Sequence, residues 1–227
     1  MLTQTVARTV LSKQIPPQAR PPVGSHVLDG NIDLMGAPMS FARNAEIYGE
    51  GEPADYLYKV ISGTVRTYKV LSDGRRQIGA FHMAGEVFGL EMSDEHTFSA
   101  EAITEAKVLV VKRSALVALA ERDSDVARQL WALTGRELSR VQDHILLLIK
   151  TAQERVAGFL LEMAERASHD GAVELPMSRQ DIADYLGLTI ETVSRTLTTL
   201  ENAAAIEMPS SRRIVLRNRC ALSRLNA

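Results

Sequence analysis

Two apolar stripes of helical period lie almost back to back between Ser178 and Leu200, with only residues 187–192 between them. Ile182, Ala183 and Leu186 form the first stripe, and Val193, Leu197 and Leu200 the second. Ser178 and Asp181 make an S-x-x-D start signal, and Gly187 stands where a helix C-terminus takes a left-handed residue. Helices joined so tightly must cross steeply, which predicts a helix-turn-helix. A plain αα-corner has the same outline, but the second helix separates the two readings. It sets Glu191, Ser194 and Arg195 at i, i+3 and i+4, opposite the apolar stripe. Arg195 can fork onto the two acceptors of guanine, and Glu191 can accept from the cytosine amino group. Ser194 adds a weaker contact, and Ile190 can touch only an apolar edge such as a thymine methyl.

Charge sharpens this reading. The 227-residue chain has a formal net charge of -2, which argues against a general polyanion binder. From Arg195 onward, however, Arg195, Arg212, Arg213, Arg217, Arg219 and Arg224 face only Glu201 and Glu207. Residues 205–208 and 214–216 read as short strands around the turn Pro209 to Arg213. The second helix is thus followed by a β-hairpin wing, whose arginines are placed to touch phosphates.

These residues carry a resemblance. Residues 182–189 and 191–195 are similar to the DNA-binding domain of the cyclic AMP receptor protein and FNR superfamily of bacterial regulators, in its FNR and FixK branch. The likeness extends from about residue 45 to the C-terminus. It implies phosphate contacts from Ser178, Arg179 and Gln180, from Thr189 and Thr192, and from the wing residues Arg212 and Arg213. Ser178 reads equally well as a simple N-cap. Relatives of the cyclic AMP type carry an Arg where this chain has Ile190, so the expected half-site is of the TTGAT kind, in an inverted repeat. The resemblance further implies an activator of low-oxygen or nitrogen-fixation genes that contacts RNA polymerase. Asp94 and Glu95 fall in the loop that matches a polymerase-contacting surface.

Upstream, the period shortens. Short strands at 47–48, 56–61, 65–70, 77–81, 87–90 and 108–112 alternate with glycine-bearing turns, the pattern of a barrel or jelly roll. Gly51 to Asp55, Ser62-Gly63, Asp73-Gly74 and Gly85 to Gly89 resemble the superfamily's cyclic-nucleotide-binding β-roll. The resemblance assigns the ribose to Gly85-Glu86 and the phosphate to an Arg-Ser or Arg-Thr pair. Here that pair is Phe98 and Ser99. Phe cannot supply the charge-assisted bonds a buried phosphate needs, so no cyclic nucleotide and no other cofactor is expected. A small-molecule sensor with an unidentified effector in the roll is the alternative.

A cupin-type metal enzyme also uses such a barrel, but its site needs two or three histidines and a carboxylate converging from adjacent strands. His82 and His96 lack close-spaced partners, so neither a metal nor an enzyme is expected. His82 and His144 are expected at the surface or in a satisfied environment. The single cysteine, Cys220, excludes an internal disulfide and a four-cysteine iron–sulfur site, and is expected to be a buried, inert thiol.

Residues 123–149 contain no Pro and form the longest helical pattern. Trp131, Thr134, Leu138, Val141, Ile145 and Leu148 recur at spacings of 3, 4, 3, 4 and 3, the seam of a coiled coil. Val126, Leu130, Leu133 and Ile149 form a second set for packing on the roll, and Thr134 and His144 are placed near the seam to set register. A single buried core helix fits the periodicity too. A helix-turn-helix dimer needs a long two-fold joint, which favours the homodimer and a palindromic double-stranded DNA target.

The expected organisation is therefore α+β: a flexible arm over 1–25, a double-stranded β-helix (jelly roll) over 26–120, a dimerisation helix over 121–149 and a winged helix-turn-helix over 150–227. A short helix is expected from Ile32 to Met39. No apolar run approaches a membrane span, and the N-terminus lacks a secretory apolar core, so the chain is expected in the cytoplasm without a membrane partner.

Overall fold

The computed structural model describes residues 32, 35–91, 93–169 and 172–226. The arm expected over 1–25 lies outside them.

Most of the N-terminal strands are rich in valine, isoleucine, tyrosine and phenylalanine, since such side chains pack well on a pleated surface. The strands are β1 (Ala37–Phe41), β2 (Glu46–Tyr48), β3 (Tyr56–Ser62), β4 (Val65–Val70), β5 (Arg76–His82), β6 (Val87–Phe88), β7 (Ser99–Ala102) and β8 (Ala106–Lys112). They form two antiparallel sheets, ordered β1-β8-β3-β6 and β2-β7-β4-β5. Tyr48, Tyr58, Val60, Val65, Phe88, Ala100 and Val108 fill the space between them. The helix expected from Ile32 to Met39 is corrected beyond Gly36. Gly36 still closes a turn onto the Ile32 carbonyl at 3.1 Å. From Ala37 the backbone instead pairs with β8, register Ala37 to Val110, because that strand's edge offers a full ladder of partners.

After α1 (Arg113–Ala120) comes α2 (Ser124–Leu148), a single helix of 25 residues, about 38 Å long. Asp123 caps its N-terminus by accepting from the Asp125 and Val126 amides. Val126 and Leu133 are buried against Leu57, Val111 and Leu116 of the roll side, as expected. Ile149 is not: it is 78 % exposed at the helix end.

The C-terminal part consists of α3 (Ala152–Ala167), β9 (Ser168–His169), β10 (Ala172–Glu174), α4 (Arg179–Leu186), α5 (Ile190–Asn202), β11 (Ile206–Glu207), β12 (Arg213–Leu216) and α6 (Arg219–Asn226). The sheet runs β11-β12-β10-β9, so the hairpin wing rests on an upstream strand. Phe159, Leu160, Met163, Ile182, Leu186, Val193, Leu197, Leu200 and Ile214 share one core. That core also takes in Ile78, Phe81 and Met83 of the roll, so the roll and the C-terminal helices pack on each other directly. Among the described residues no helix is long and apolar enough to cross a membrane.

Candidate nucleic-acid interface

Two cap motifs and one glycine fix the reading head. Ser178 Oγ accepts from the Asp181 amide at 3.1 Å, and Asp181 Oδ2 accepts from the Ser178 amide at 2.9 Å, a complete capping box at the start of α4. At its end Gly187 has φ 61° and ψ 40°, a left-handed cap that turns the chain within three residues. Thr189 then caps α5 by accepting from the Thr192 amide at 3.2 Å.

Val193, Leu197 and Leu200 of α5 are fully buried, which holds the opposite face outward. Ile190, Glu191, Ser194 and Arg195 are all exposed there, as the sequence predicts for a face that reads base edges. The Glu191 carboxyl is held below the usual range by its own backbone amide and the Thr189 hydroxyl, with Arg195 adding to the effect. At neutral pH it is an ionised acceptor, the form that can accept a hydrogen bond from a cytosine amino group.

The residues expected at phosphates differ in how they are held. Ser178 is exposed and is the N-cap of α4, so the capping reading is realised. Gln180 is exposed, its amide tied to Asp184 Oδ1 at 2.6 Å. Arg179 is half-buried, Nη2 lying 3.5 Å from the Met208 sulfur of the wing strand's end. Arg212 and Arg213 are exposed at the wing. Arg213 lies 3.8 Å from Glu174, a solvent-exposed pair that contributes little and leaves the guanidinium available. Arg217, by contrast, is bonded to Glu207.

On α2, Trp131 is 83 % exposed, and Thr134, Leu138, Val141 and Ile145 are exposed with it. A stripe this apolar is costly to leave in water. Leu148 departs from the stripe: it is half-buried, its Cδ2 within 3.8 Å of where a Gly187 Cβ would stand. Leu146 and Ile149, which the heptad reading did not place on the seam, are exposed beside it. The two polar residues named for register do other work. Thr134 donates to the Leu130 carbonyl at 3.0 Å, and His144 stacks on Tyr185 with Nε2 2.9 Å from the Tyr185 carbonyl.

In the roll, the positions of the family's nucleotide contacts are engaged with the protein itself. Glu86 accepts from the Met83 amide at 2.9 Å and from Arg166 Nη2 at 2.8 Å, with Arg140 at 3.5 Å. Burial raises its carboxyl, but the two guanidinium groups outweigh this and hold it below the usual range. The Phe98 ring lies over Gly79, where a Cβ would come within 3.0 Å of it, and Ser99 Oγ accepts from the Glu50 amide at 3.0 Å. The interior beyond is packed with rings: His96 stacks on Tyr48 at 3.6 Å, Tyr58 on Phe88 at 5.1 Å and His82 on Phe88 at 5.0 Å. His82 is therefore buried, not at the surface, and only its Nε2 has a partner, Thr67 at 3.3 Å. No group of three or more His, Cys, Asp or Glu among the described residues is arranged to hold a metal ion.

Asp94 and Glu95 are exposed on an open groove of about 720 Å³ shared with Asp55, Lys112, Arg113 and Glu121. Cys220 is also exposed, which overturns the expectation of a buried thiol: on the short α6 only Leu222 is turned fully inward.

Comparison with known proteins agrees with this architecture. Residues 38–123 match the cyclic nucleotide-binding domain and residues 154–225 the Crp-like helix-turn-helix domain. The chain is 55 % identical over 202 residues to the nitrogen fixation regulation protein FixK of Azorhizobium caulinodans, covering 86 % of this chain and 82 % of that protein. The chain belongs to the CRP/FNR family. Its members are helix-turn-helix transcription regulators, and this chain is one of them. Within the family it is also similar to the fumarate and nitrate reduction regulatory protein of Escherichia coli, at 30 % identity over 210 residues, 89 % of this chain and 84 % of that one. The solved structure of FixK2 from Bradyrhizobium japonicum superposes with a TM-score of 0.82 at 55 % identity, covering 85 % of this chain and 98 % of that chain.

Proposed function

We propose that this CRP/FNR regulator is a homodimeric activator that binds a TTGAT-type inverted repeat without a cyclic nucleotide, and that it controls nitrogen-fixation or low-oxygen genes. The observation that carries the reading is the exposed set Ile190, Glu191, Ser194 and Arg195 on a helix whose other face is sealed in the core. Arg195 forks onto guanine, Glu191 accepts from the paired cytosine or a neighbouring base edge, and Ile190 covers a thymine methyl. Ser178, Arg179, Gln180, Thr189, Thr192, Arg212 and Arg213 take phosphates around them. The division of the described residues into roll (up to 120), joint (121–149) and reading head (from 150) belongs to the same proposal. The bare apolar stripe from Trp131 to Ile145 supports the two-fold joint, since water is a poor environment for it. Self-engagement of Glu86 and the ring over Gly79 support independence from nucleotide. The nitrogen-fixation role rests on the FixK relatives. Asp94 and Glu95 are the proposed polymerase contact, and the cytoplasm the proposed location.

Arg195→Ala should lose about 1–3 kcal/mol per half-site and with it specific binding to the repeat. A gel-shift titration at fixed salt checks this. Unchanged affinity contradicts the assignment.

A further inference from the structure

One cluster of charged groups ties the roll to the reading head, at the helix that carries the capping box. Arg76, on β5, reaches across 105 residues of sequence to α4: Nη2 is 2.6 Å from Asp181 Oδ1 and 2.8 Å from Asp184 Oδ2, and Nε donates to the same Asp184 oxygen. Arg66, on β4, places Nη1 2.7 Å from Asp181 Oδ1 and Nη2 2.8 Å from Glu101. Both guanidinium groups also lie over the Tyr68 ring, each guanidinium carbon 5.7 Å from its centroid. Asp181 and Arg66 are buried, and Arg76 is largely covered. Charge-assisted bonds in such a setting are short, directional and poorly screened by salt.

The two oxygens of Asp181 divide the work. Oδ2 closes the capping box on Ser178, and Oδ1 receives both arginines. Asp184 likewise takes Arg76 on one oxygen and Gln180 on the other. The residues proposed at the phosphate, Ser178 and Gln180, are thereby joined to the roll through one carboxylate each. Gln77 adds a bond to the Tyr185 carbonyl at 3.3 Å.

We infer that Arg66 and Arg76 are positioning residues for DNA reading: they latch α4 to the β4–β5 hairpin and so set the angle of α5 in the effector-free protein. This rests on the proposed ligand-free binding and gives it a device. Two heads held rigidly can meet both halves of a repeat at once, whereas loosened heads populate the competent arrangement only part of the time. The apparent affinity then falls by that fraction.

The exposed Cys220 is the only cysteine and sits in the head, so nitroxide labelling of the full-length protein reports the distance between the two heads of a dimer. In the wild type the Cys220-to-Cys220 distance distribution should be equally narrow with and without the repeat. Arg76→Met should broaden it in the free protein, and added duplex should narrow it again. Affinity for the full repeat should fall about tenfold if the competent fraction drops to a tenth, while affinity for an isolated half-site stays unchanged. Arg76→Lys should recover most of the loss. Since Asp181 keeps Arg66 and its cap in these variants, folding is preserved and circular dichroism verifies it. Trypsin cleavage after Lys150, between α2 and α3, should be faster in Arg76→Met, and this measurement does not depend on dimerisation or on the DNA sequence. Wild-type distance width and wild-type cleavage rate in Arg76→Met overturn the latch. So does an equal loss on half-site and full repeat with an unchanged distance. Failure of the wild type itself to bind the repeat, with cleavage still accelerated in the variant, sinks the proposed function and leaves the latch standing.

Discussion

His82 shows how one buried side chain makes the whole fold sensitive to acid. Burial pushes its imidazole from 6.5 down to about 3, because the charged form would lose its water among Phe88 and the roll interior. The unfolded chain takes up a proton below pH 6.5, and the native chain does not until about pH 3. Between those limits the unfolded state binds more protons, so stability falls as pH falls, at up to about 1.4 kcal/mol per pH unit from this residue. Urea unfolding at pH 7, 6 and 5 should show a shallower decline for His82→Gln than for the wild type. Parallel declines contradict the burial argument. Glu86 acts in the same direction at lower pH, because its depressed carboxyl is protonated only after the unfolded one, below about 4.5.

At the scale of elements, the turn between α4 and α5 depends on one backbone conformation. Gly187 adopts φ 61°, and a Cβ there would meet Arg155 Nη1 only at 3.5 Å, so space is not the constraint. The cost of Gly187→Ala is the left-handed backbone itself, about 1–2 kcal/mol, visible as a lower urea midpoint. Gly187→Asn should cost less, and an Ala variant of wild-type stability would contradict the reading. This turn was legible in the sequence because capping box, stripe and glycine are local signals. The strands of the roll were legible for the same reason, except β1, whose residues Ala37 to Met39 were expected in a helix. β7 was not: Ser-Ala-Glu-Ala has no strand preference and pairs only because β2 and β4 flank it. The helix α3 could have been read, since Val156, Phe159, Leu160 and Met163 repeat at helical spacing and are all buried. The reading face of α5 was visible from its spacing, but the latch was not. Arg66, Arg76, Asp181 and Asp184 come together over more than 100 residues of sequence, which no local pattern records. The environment of His144 is satisfied, as expected, but its partner Tyr185 was hidden likewise, because it lies on another element.

For the molecule as a whole, the proposed two-fold joint rests on the exposed apolar stripe of α2. Burying a Leu or Ile side chain contributes about 1.5–3 kcal/mol, and a two-fold joint buries each seam residue twice. Leu138 and Ile145 are 58 % and 57 % exposed in the single chain. Replacing both by Glu should convert a particle of twice the 24.9 kDa chain mass into a single chain in sedimentation equilibrium. The helical content should be kept and binding to the repeat lost. A dimer that survives both substitutions places the joint elsewhere. In the proposed ligand-free activator, the roll, packed with its own rings and with Glu86 turned to Arg166, sets the heads through protein contacts rather than through a bound nucleotide. Selection of bound duplexes from a random pool by the purified protein, with no nucleotide added, tests that claim most directly. The account predicts enrichment of an inverted repeat with TTGAT-type halves. Enrichment that needs added cyclic AMP, or duplexes without two-fold symmetry, would contradict it.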